Sequence, residues 1–182
     1  MTKKTKVIFI IIAILMIVGV YFLTRNLNQK DYPGLIDNDK YQVFLFESPI
    51  FSPLIFAGHS WFVLNNKGEI SRWEIGYNYF NAPSKTDCEY IFKNWKPLFQ
   101  GIGFFPFGIG KVFNKSELLG KIEGNEAKKM IDFIYNSPNT YSYCNKYRLW
   151  GPNSNTYIQW VLNNFPESGL KLPHNAYGKD YK

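Results

Sequence analysis

Seventeen consecutive residues, Val7 to Leu23 (VIFIIIAILMIVGVYFL), carry neither charge nor proline. As a helix rising 1.5 Å per residue they would span roughly 25 Å, close to the hydrocarbon thickness of a bilayer. A cleaved signal peptide shares the charged front, but its apolar region is usually shorter and leads into small residues. Here Tyr21, Phe22 and Leu23 close the run, and Thr24 and Arg25 follow it. The sequence therefore predicts an uncleaved single-pass anchor over residues 1–23, with the lipid bilayer as partner through residues 7–23. Lys3, Lys4 and Lys6 precede the run, against Arg25 and Lys30 after it. That bias favours a cytoplasmic N-terminus and an extracytoplasmic bulk at the cell membrane. No cysteine adjoins the segment, which excludes the common bacterial lipid attachment.

Charge then narrows the partners. The chain of 182 residues has a formal charge of +7, and setting aside the three N-terminal lysines leaves +4, too little to suggest nucleic acid. Residues 24–40 are polar, contain Pro33 and Gly34, and read as a tether. Residues 41–182 are long enough for one globular domain with its own core. Cys88 and Cys144, the only cysteines, would meet an oxidising compartment in this topology. A disulfide or two separate thiols both fit.

Periodicity within that domain predicts an α+β fold, an antiparallel sheet with packed helices. Tyr41–Phe46 (YQVFLF) is aromatic and β-branched, and His59–Leu64 and Glu69–Gly76 flank Asn65, Asn66, Lys67 and Gly68, a hairpin signal. Cys88–Trp95 reads as a short helix, and Gln100–Gly110 (QGIGFFPFGIG) as a packed loop or an aromatic surface at the bilayer interface. Residues 125–136 set Ala127, Met130, Ile131, Ile134 and Tyr135 at helical spacing. Residues 153–165 do the same with Tyr157, Ile158, Val161, Leu162 and Phe165, with Asn153 or Ser154 available to cap the first turn. Leu172–Lys182 reads as an irregular strap.

The block Gly151-Pro152-Asn153-Ser154-Asn155-Thr156-Tyr157, followed by Trp160-Val161-Leu162, Leu172-Pro173 and Ala176-Tyr177-Gly178-Lys179-Asp180-Tyr181, resembles the bacterial domain-of-unknown-function family DUF3750. His59-x-Trp61 and Trp73-Glu74-Ile75-Gly76 extend the resemblance over roughly residues 41–181. Tyr177 and Asn163 depart from the isoleucine and arginine expected there, outside the motif's polar core. The resemblance implies a membrane-associated bacterial protein and no established activity. The order of elements is also similar to the circularly permuted papain-like hydrolases: an early strand histidine, a hairpin, then an Asn-nucleophile-x-x-aromatic helix start. Those proteins use cysteine, and Ser154 stands in its place.

Two functions follow as expectations. In the first, a hydrolase, Ser154 is a nucleophile activated by His59, with helix N-terminal amides available to an oxyanion. If the hairpin pairs Leu64 with Glu69, His59 falls opposite Glu74, which then orients the imidazole. A one-residue slip would turn Glu74 to the other face. The structural alternative makes Ser154 a helix cap and His59 a hydrogen-bonded strand residue. In the second function, a non-catalytic binding domain, Asn153, Asn155, Lys179 and Asp180 form a polar cleft for a cell-envelope peptide or glycan. With only His59 and His174 available and no acidic cluster near either, the sequence argues against a metal centre, and it implies no cofactor.

Overall fold

The computed structural model describes residues 32–52, 55–76, 91–94, 96–102 and 116–182, together with Thr5. The chain divides into two compact units, Met1–Lys30 and Asp31–Lys182, and the fold below is that of the second. The predicted anchor over residues 7–23 lies outside the described residues. Among the described residues no helix is long and apolar enough to cross a membrane.

Among the described residues five strands form one antiparallel sheet: β1 (Tyr41–Ser52), β2 (Ile55–Asn66), β3 (Glu69–Ile75), β4 (Ile91–Lys93) and β5 (Glu117–Glu123). Their spatial order is β4-β3-β2-β1-β5. The first four make a meander, and β5 returns to the free edge of β1. The β2–β3 turn has two residues, Lys67 and Gly68, with φ of 51° and 91°. Only a primed turn fits positive φ at both positions, and its twist matches the strands it joins. Asn66 therefore pairs with Glu69 and Phe62 with Trp73. The pairing of Leu64 with Glu69 is corrected by two residues, because the asparagines expected in the loop extend the ladder. A shift of two preserves which face each side chain occupies.

Alternation along β1–β3 gives the sheet two buried faces. Val43, Leu45, Phe62, Leu64, Trp73 and Ile75 meet the helices, and Phe44, Phe46, Trp61 and Val63 meet Tyr32, Leu98 and Phe99 on the other side. The 3-10 turn Tyr32–Leu35 packs on that second face, with the Tyr32 hydroxyl donating to Ser116 O at 2.9 Å. The folded unit thus starts at Asp31, within the stretch read as tether, because Tyr32 is an apolar anchor for the sheet.

Helix α1 (Asn125–Thr140) buries Ala127, Met130, Ile131 and Ile134 as its spacing predicts, and runs on through Pro138 in its last turn. Helix α2 (Ser154–Asn163) buries Tyr157, Ile158, Val161 and Leu162. The Ser137 and Tyr157 hydroxyls lie 2.8 Å apart and join the two helices. Two elements differ from expectation. Within the predicted helix Cys88–Trp95, residues 91–93 are strand β4, which satisfies the outer edge of β3. Strand β5 has no clear sequence alternation, since of its seven residues Ile122 alone is buried.

Candidate active site

The second sheet face carries a buried polar cluster. His59 and Trp61 on β2 and Arg72 and Glu74 on β3 share that face by the two-residue strand period. His59 Nε2 lies 2.7 Å from Glu74 Oε2, with both side chains almost fully buried. Arg72 Nη2 donates to the same oxygen at 2.9 Å, and Arg72 Nε approaches Glu74 Oε1 to 2.5 Å as an ion pair without hydrogen-bond alignment. Arg72 Nη1 donates to Pro97 O at 2.7 Å and to Gln100 O at 2.5 Å. The guanidinium lies over the Trp61 ring at 4.2 Å, and Trp61 Nε1 donates to Leu98 O. Residues 97–100 thus roof the cluster through the backbone carbonyls of Pro97, Leu98 and Gln100.

Burial lowers the His59 pKa, and the Glu74 carboxylate only partly restores it. Burial alone would raise the Glu74 pKa, but the His59 hydrogen bond and the charges of His59 and Arg72 hold it below its usual range. An ionised carboxylate only accepts hydrogen bonds, so His59 carries its proton on Nε2 and keeps its lone pair on Nδ1.

The α2 N-terminus meets β2 beside this cluster. Asn153, not Ser154, is the cap: its side chain accepts from the amides of Asn155 and Thr156, and Thr156 Oγ1 accepts from Asn153 N in return. Ser154 is the first helical residue, and its side chain hydrogen-bonds Tyr147. Burial raises the Tyr147 pKa, the Ser154 bond opposes that, and the Glu74 charge adds to it. Past Phe62, where the ladder with β3 ends, the Asn155 amide takes over the edge of β2. Asn155 Oδ1 accepts from Ser60 N at 3.2 Å and Nδ2 donates to Gly58 O at 2.8 Å. Both neighbours of His59 are thereby tied to the residue that follows Ser154.

The four residues assigned to a binding cleft do not share one surface. Asn153 and Asn155 are buried, and both amides donate to Tyr177 O. Lys179 and Asp180 instead line an open cleft of about 360 Å³ with Gln159, Asn163 and Lys171. Lys179 Nζ donates to Pro173 O within the strap. Cys88 lies outside the described residues, as do residues 103–110 of the aromatic loop. Among the described residues no three His, Cys, Asp or Glu side chains gather where a metal could bind.

Sequence reasoning passed over three residues. Arg72 stands two before Glu74 on a strand, so the face assignment that selected Glu74 also selects Arg72. Tyr147 left no local signal. Glu47 continues the buried alternation of Val43 and Leu45 and is only 8% exposed, with Oε1 unpartnered. Burial pushes its pKa up to about 7, against the hydrogen bond of Asn175, with the Glu117 charge adding to the rise.

Fold and cluster define an α+β domain with a carboxylate-held histidine on a strand whose edge Asn155 ties to a helix N-terminus. The chain belongs to the family described as "Protein of unknown function (DUF3750)", which matches residues 40–181. No curated protein and no solved structure matches it.

Proposed function

We propose that this is a single-pass membrane protein whose domain is an extracytoplasmic, papain-like hydrolase acting on an acyl bond, with Ser154 as nucleophile. His59 Nδ1 takes the serine proton and returns it to the leaving group, while Glu74 fixes the ring and Arg72 keeps Glu74 ionised. The first amides of α2 stabilise the oxyanion. The observation that carries the reading is the 2.7 Å His59–Glu74 contact on the strand segment that Asn155 ties to the start of α2. The apolar run at residues 7–23 and the lysines before it support the anchor and its orientation.

A serine-directed fluorophosphonate tests the chemistry. The detergent-solubilised full chain should be labelled, and Ser154→Ala and His59→Ala should each abolish labelling while keeping the wild-type circular dichroism spectrum. Labelling that persists in either folded variant, or never occurs, refutes the proposal. A second reading, envelope-ligand binding without catalysis, is favoured by the cleft at Lys179 and Asp180. Calorimetry with peptide and glycan fragments against Lys179→Ala checks it, and equal heats would refute it.

A further inference from the structure

Among the described residues the exposed large apolar side chains are Leu149 (58%), Trp150 (64%), Tyr177 (38%) and Tyr181 (38%). They are not scattered. Two chain stretches, the turn before Asn153 and the C-terminal strap, bring them to one place, with the Trp150 and Tyr177 rings 5.5 Å apart. The Tyr181 ring lies against Gly151, where an added Cβ would stand 2.7 Å from Tyr181 Cβ. Tyr181 also meets Tyr143 edge-on at 5.5 Å. The turn is braced by Arg148 N donating to Pro152 O at 2.7 Å and Gly151 N to Arg148 O at 3.0 Å. Single exposed apolar residues need no explanation, whereas a braced group of four does.

In the sequence the charge beside the group is mostly positive. Lys146, Arg148, Lys179 and Lys182 flank it, and Asp180 is the single acidic residue in the same stretches. Tryptophan and tyrosine favour the headgroup layer, and cations there meet lipid phosphates. In the sequence, seven residues, 24–30, stand between the apolar run and the folded unit. We propose that this face docks on an anionic bilayer surface, with Trp150 and Leu149 in the headgroup layer and the flanking cations against phosphate. The proposal rests on the anchored reading for proximity and not on the hydrolase reading.

Flotation and quenching separate the two claims. The full chain is reconstituted with phosphatidylglycerol/phosphatidylcholine vesicles or with phosphatidylcholine alone, using lipids brominated at shallow acyl positions. The expected result is flotation with both vesicles and tryptophan quenching in the anionic ones that is mostly lost in Trp150→Phe, in neutral lipid or at high salt. Flotation with quenching unchanged by Trp150→Phe overturns the docking and leaves the anchor. Quenching lost at a single chain per vesicle assigns the face to self-association and likewise overturns it. Flotation with anionic vesicles only, abolished by Leu149→Ser with Trp150→Ser, sustains docking and overturns the anchor. Absence of flotation overturns both.

Discussion

Glu47 makes the stability of this domain fall with rising pH in a way that one substitution should remove. Its carboxyl is enclosed by Gly58 of β2, Asn175 of the strap and Glu117 opposite it on β5. Of these, Glu117 is the charged one, and it opposes ionisation. The folded pKa is about 7 and the ordinary value 4.5. Stability from the neutral carboxyl is therefore fully present below 4.5 and is lost as pH rises through the folded value. At 1.36 kcal/mol per pKa unit the loss is about 3 kcal/mol, and solvent in the open pocket that Glu47 lines with Glu117, Pro173 and Asn175 reduces it to about 2. Glu47→Gln mimics the neutral acid and keeps a partner for Asn175. Urea unfolding followed by tryptophan fluorescence should give variant and wild type similar stabilities at about pH 4, with the variant about 2 kcal/mol more stable at about pH 8. His59, whose lowered pKa costs stability on acidification, titrates in both proteins and cancels in the difference. Equal pH slopes for the two proteins would refute the reasoning.

Gly58→Ala would set Cβ 1.5 Å from Glu47 Oε1. A loss of about 2 kcal/mol or more is expected in denaturation, much of it recovered when Glu47→Ala is added. Asn155→Ala leaves Ser60 N and Gly58 O without their partners at the strand edge and should cost about 2–4 kcal/mol by the same assay. Glu74→Gln strips the buried Arg72 of its counter-charge and should cost about 3–5 kcal/mol. Fluorophosphonate labelling in whatever fraction stays folded should fall with it.

The readable parts of the fold were those set by local rules. Aromatic and β-branched runs placed parts of β1–β3, helical spacing placed the buried faces of α1 and α2, and the stretch Asn65-Asn66-Lys67-Gly68 marked the hairpin. The hairpin register lies two residues from the expected pairing because Asn65 and Asn66 extend the ladder, yet strand parity keeps His59 and Glu74 on one face. Strand β5 is illegible in the sequence because this edge strand buries one side chain, Ile122, and carries charges at both ends. The residues at 91–93 misled because a three-residue strand is decided by the edge it joins, not by its own pattern. Asn153 and Ser154 could not be separated as cap from sequence, since both types cap well; the reciprocal bond with Thr156 decided it. Glu47 was hidden because nothing in a single chain reveals that an alternating position will meet Gly58 and the strap.

Arg72 gives the polar cluster its logic. A carboxyl buried beside an imidazole alone would pay a desolvation cost large enough to favour its neutral form. A neutral carboxylic acid can donate to Nε2, which would move the histidine proton to Nδ1 and leave no base facing away from Glu74. The Arg72 ion pair holds Glu74 ionised, and its remaining donors go to Pro97 O and Gln100 O. One side chain therefore both closes the roof over the sheet and selects which imidazole nitrogen is basic. A purely structural pair would need only the first of these, and apolar residues of similar volume would fill the space at least as stably. The proposed hydrolase would draw on that nitrogen, on a strand segment that Asn155 holds to the start of α2, where Ser154 begins the helix.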